Sequence, residues 1–192
     1  MTLYADSEYP VREDLDVIHT KQIDQLAEPG TWGTGAQRLA IANEVRQACY
    51  DAGTQEKPKE AGPVSNIELP EAARNMVRKL AVSPKDFLED SYQEAKKGDL
   101  SDEEYVEIVG IVSRVTNMDV FARGIGVDLR ALPAARTGEP SRERPGVAKP
   151  EQAWVPTIPN LPEGGDIAAE LYGEGHKTYI VRGVSLVPDE LR

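Results

Sequence analysis

The chain has 192 residues, a net charge of -11, one cysteine and 40% apolar content. That length and apolar fraction suit one compact domain, or one domain with a long appended segment, and allow a real core. The acidity argues against nucleic acid or an anionic membrane as partner and fits a soluble cytoplasmic protein, and the lone cysteine excludes an intramolecular disulfide. The opening MTLYADSEYPVREDLD has no basic region followed by an apolar core, so it does not read as a signal peptide. No apolar run approaches the roughly 20 residues that a membrane helix needs.

In chain order, residues 1–10 read as a short tail. Leu15, Ile18, Gln22 and Leu26 trace a helical stripe from Val11 to about Ala27, which Pro29 and Gly30 end. The turn PGTWGTG follows, and Thr34 with Gln37 forms a capping box for a helix running to about Tyr50. Residues 53–66 are a linker rich in Gly, Pro and charge. Pro70 then starts a helix whose face is Ala73, Met76, Val77 and Leu80. Ser83-Pro84 begins another, anchored by Phe87, Leu88 and Tyr92 and ending at Gly98.

The stretch LSDEEYVEIVGIVSRVTNMDVFARGIG, from Leu100 to Gly126, is the centre of this reading. Ser101 and Glu104 form a second capping box, and Asp102 and Glu103 favour the positive end of the helix dipole. Tyr105, Ile108, Val109, Val112 and Val115 make a continuous apolar stripe, and Val106, Gly110 and Ile111 make the opposite side nearly as apolar. A helix apolar on most sides is buried on most sides, which predicts the central helix of an all-α bundle. After Leu129 the periodicity fades, with seven prolines between Pro133 and Pro162. A segment that long without structure of its own either wraps over a surface or stays partly disordered; wrapping is favoured, with Trp154 and Val155 as anchors and an oligomer interface as a natural recipient. The predicted organisation is a helical core over 1–129, a Pro-rich wrapping segment over 130–166 and a C-terminal helical segment over 167–192.

The central stretch, together with PGTWGTGAQRLAIANEVRQAC before it, resembles the carboxymuconolactone decarboxylase and alkyl-hydroperoxidase-D-like family, including its peroxidase-related members. The similarity runs from about Pro29 to Leu132, roughly half the chain, and faintly into SLVPDELR. It implies a hydroperoxidase-D-like helical bundle, an antioxidant setting and a homo-oligomer. In longer relatives a segment like SLVPDELR precedes a second helical unit, so the resemblance makes residues 167–192 the lead-in to such a unit. Catalytic members of the family carry a Cys-x-x-Cys pair, a following His and an upstream Glu. With Glu107 placed on that Glu, the other positions fall on Asp119, Ala122 and Gly126, none of which holds the family residue. A peroxidatic and a resolving thiol have no substitute in Asp and Ala.

The resemblance and the burial of this helix together make Glu107 the best polar candidate for proton transfer, since a desolvated carboxylate has its pKa raised. The alternatives are that it faces outward or pairs with Arg114 or Arg123. Asp119 and Arg123, four apart, are either polar groups at a pocket mouth or a plain ion pair on the helix surface. Cys49 ends the second helix and reads as a small core residue; a redox role would need an external resolving thiol. His19 and His176 have no partner at ligand spacing, so no metal is expected, nor any other cofactor. Gly30, Gly33 and Gly35 could suggest a phosphate cradle, but no strand precedes them and the Lys is missing, which leaves Trp32 as a hydrophobic plug. No Ser-His-Asp arrangement is signalled.

Two functions remain. One is an enzyme of the family, acting in peroxide detoxification or, without the thiols, in lactone-type acid–base chemistry through Glu107 and Asp119. The other is a non-catalytic helical scaffold that binds a small organic ligand or serves as an oligomer subunit.

Overall fold

The computed structural model describes residues 2–59 and 62–192, and the described residues are all-α with no strand. The helices are α1 (Glu13–Ala27), α2 (Gly35–Asp51), α3 (Glu71–Val82), α4 (Glu89–Lys97), α5 (Asp102–Gly124), α6 (Gly165–Tyr172) and α7 (Tyr179–Arg182). Single 3-10 turns lie at Pro84–Asp86 and Pro188–Glu190. None of the helices among the described residues is long and apolar enough to cross a membrane.

Both capping boxes form, at Thr34 with Gln37 and at Ser101 with Glu104, and they set the entry points of α2 and α5. Helix α5 packs against α1, α2, α3 and the Pro188–Glu190 turn. Val106, Ile111, Val115, Met118 and Ala122 along it are at most 2% exposed, so it is the axis of the core. It ends where Gly126, at φ +77, turns the chain left-handed and Val127 donates its N–H back to the Ala122 carbonyl.

Three local expectations change. In α1 the buried stripe is Asp16, His19, Ile23 and Leu26, while Ile18 is exposed. The cause is the N-terminal segment, which is docked rather than a loose tail: Tyr4 is buried, its hydroxyl lies 2.7 Å from His19 Nδ1 and its N–H donates to Asp16. The predicted helix after Ser83 is split by an extended Phe87–Leu88 stretch, so Phe87 and Tyr92 anchor it but Leu88 points to solvent.

Residues 130–166 lie along their own chain. Arg136, Ser141 and Arg142 donate N–H groups to the carbonyls of Ala27, Gly30 and Thr31. Leu132, Val155 and Ile158 are buried, and Trp154 stacks on Tyr92 with ring centroids 5.8 Å apart. Beyond them, Leu186 and Val187 are fully buried in the main core.

Candidate functional site

Four charged side chains meet in the core between α2, α5 and the last turn. Arg38 on α2 donates to Glu107 on α5 and, at 2.9 Å, to Glu190. Arg114, two turns beyond Glu107 on α5, lies 3.5 Å from Glu190 and donates to the Asp189 carbonyl at 2.8 Å. The side chains of Arg38, Glu107 and Glu190 are at most 4% exposed. Burying these charges is tolerable because positive and negative members balance and share hydrogen bonds.

Glu107 has a further set of partners. The backbone N–H groups of Trp32 and Gly33 donate to its second oxygen at 3.2 and 2.7 Å. The glycine-rich turn is thus an anion cradle, and the anion is the chain's own carboxylate. Gly30 is required there, because a Cβ would overlap both Glu107 and Arg38. Burial pushes the Glu107 carboxyl above the ordinary carboxylate range, against the pull of Arg38. Burial also works against the Arg38 charge, but Glu190 and Glu107 outweigh it and raise its pKa. The Arg114 guanidinium is lowered by burial, against Glu190.

Asp119 does not pair with Arg123. It is 3% exposed and accepts both arms of Arg46 on α2, at 2.9 and 2.7 Å, with Gln55 donating a third hydrogen bond. Arg46 is nearer to complementing it because Asp119 faces inward, whereas Arg123 is on the exposed side and makes no ion pair among the described residues. Nor does Glu107 use Arg114 or Arg123; its partner is Arg38. Since Arg38 meets Glu107 and Arg46 meets Asp119, α2 and α5 run in the same direction, joined by two buried ion pairs.

Cys49 is half-buried, 3.9 Å from the Ala81 carbonyl, and burial raises its pKa, which disfavours the thiolate. It belongs to the α2–α3 contact, apart from the Glu107 cluster. His19 is spent on Tyr4, and His176 is exposed beside Asn160. Among the described residues no group of three His, Cys, Asp or Glu side chains is arranged to hold a metal ion. The residues that local pattern could not find are Arg38, Arg46 and Glu190. The available signal was that Arg38 and Arg46 lie at helical spacing with Leu39, Ala42 and Val45, on the apolar side of α2.

Fold and site thus define a helical protein whose core carboxylates are tied into buried ion pairs. Compared with known family patterns, with curated proteins and with solved structures, the chain has no significant match in any of the three.

Proposed function

We propose that the chain is a small-ligand-binding helical protein of the alkyl-hydroperoxidase-D-like or carboxymuconolactone-decarboxylase-like kind, cytoplasmic and without thiol peroxidase activity. The observation that carries this reading is the double ion pairing of Glu107 with Arg38 and Asp119 with Arg46. A carboxylate saturated by a guanidinium and two backbone N–H groups serves as a structural member, and a thiol held protonated away from it is a poor peroxide nucleophile. The homo-oligomer that the resemblance implies would be tested by sedimentation equilibrium.

The deciding experiment is an oxygen-free thiol titration with a peroxide-consumption assay on the wild type and Cys49→Ser. No turnover in either protein is expected. Turnover in the wild type that disappears in Cys49→Ser would overturn the reading. Acid–base catalysis at Glu107 is a second reading, favoured by the upward pull of burial on its carboxyl. Against a panel of small lactone acids, it requires turnover that Glu107→Gln abolishes while the variant stays folded.

A further inference from the structure

Beside the charge cluster lies a cleft of about 580 Å³, of the size that holds small ligands. Gln22, Gly110, Arg114, Trp154, Tyr179 and Glu190 are among its walls. Most of its surface is apolar, but its floor carries two oxygens that accept no hydrogen bond, one of them the Glu190 oxygen whose ion-pair partner is Arg114 at 3.5 Å. The Glu190 side chain is fully buried, yet its Oε2 has no hydrogen-bond donor, and neither has the buried Oε1 of Gln22. Glu190 Oε2 sits directly on Gly110, where a Cβ would overlap it, so the missing side chain is what makes room for the carboxylate itself. Arg114, with its side chain 91% buried, uses only Nη2 within the chain; Nε and Nη1 donate to nothing among the described residues.

Buried acceptors without a donor are costly, and beside arginine nitrogens that no group of the chain engages they specify a complement. A ligand here must offer a donor to the glutamate and glutamine oxygens and an acceptor to the arginine. Charge narrows the choice. Arg38, Arg114, Glu107 and Glu190 already sum to zero, so an ionised carboxylate would add an uncompensated negative charge beside two glutamates. The aromatic rings of Trp154 and Tyr179 suit an apolar or aromatic body.

We propose that this cleft binds a small aromatic or apolar molecule that ends in an uncharged donor–acceptor group of the carboxamide type. This deepens the ligand-binding reading above and rests on it.

The test titrates benzamide into the full chain and follows backbone amide and tryptophan indole NMR signals, with benzoate as the charged counterpart. Benzamide is expected to move the signals of Gly110, Gly183 and Trp154, and benzoate to bind about tenfold more weakly. Arg114→Gln should weaken benzamide about tenfold by removing the charged donor. Ala153→Trp, which fills the cleft and leaves every ion pair in place, should abolish binding. Benzoate binding as tightly as benzamide would overturn the uncharged end group. No benzamide shifts at the cleft, in a wild type that needs no variant to fold, would overturn the site. Shifts confined to another surface would sink this site while leaving the ligand-binding reading standing, and thiol-dependent peroxide turnover would sink that reading without touching the cleft.

Discussion

At the scale of single residues, Asp119 and Glu107 illustrate how a buried charge is held. Asp119→Ala strands Arg46 in the core, and removal of one partner of such a pair is expected to cost about 3–5 kcal/mol in urea unfolding. The double replacement Arg46→Met with Asp119→Leu should cost far less than the two single changes summed, because it removes both charges and keeps the volume. Glycines separate in the same way. Gly30→Ala forces a methyl group into Glu107 and Arg38 and should lose about 1–3 kcal/mol, whereas Gly124→Ala meets open space at a helix end and should be neutral or slightly stabilising. Thermal unfolding followed by circular dichroism distinguishes the two. None of these partners is legible in the sequence, for a physical reason. Capping and periodicity are local, while Arg38 and Glu107 are 69 positions apart, and an arginine in a helix reads locally as a solvated side chain. That Glu107 would be desolvated was legible from its apolar neighbours; what neutralises it was not.

At the scale of elements, the two capping boxes and the apolar circumference of α5 were legible because each is decided within one or two turns. The rotation of α1 was not, since the face it buries is chosen by Tyr4 and Phe121, whose rings meet His19 edge-on at 5.7 and 5.0 Å. This docking carries a pH dependence. Burial holds the His19 pKa below its ordinary value, with Asp16 pulling weakly the other way. A histidine depressed in the folded state is protonated more readily in the unfolded one, so its stabilising contribution is complete above the ordinary histidine range. That contribution falls away as pH drops through it toward the folded pKa. Urea midpoints measured between about pH 7.5 and 5 should therefore decline, and His19→Gln should flatten the decline even if it lowers the whole curve. An unchanged slope in the variant would assign the decline to the carboxylates instead.

At the scale of the whole molecule, the Pro188–Glu190 turn closes the core, whereas the resemblance read this end as the lead-in to a second helical unit. Deleting residues 188–192 removes Glu190 from Arg38 and Arg114 and uncovers Leu186 and Val187. The expected result is a loss of at least about 3 kcal/mol, with amide exchange accelerated in α2 and α5 as well as at the deleted end. Exchange faster only near the deletion would mean the turn is a surface decoration. The 152 positions between Arg38 and Glu190 also set an order of events during synthesis. The ribosome makes the guanidinium and the Glu107 that binds it long before it makes the second glutamate. Until then the nascent helices carry a partly compensated charge network and an uncovered apolar floor, the kind of surface that chaperones shield and aggregation exploits.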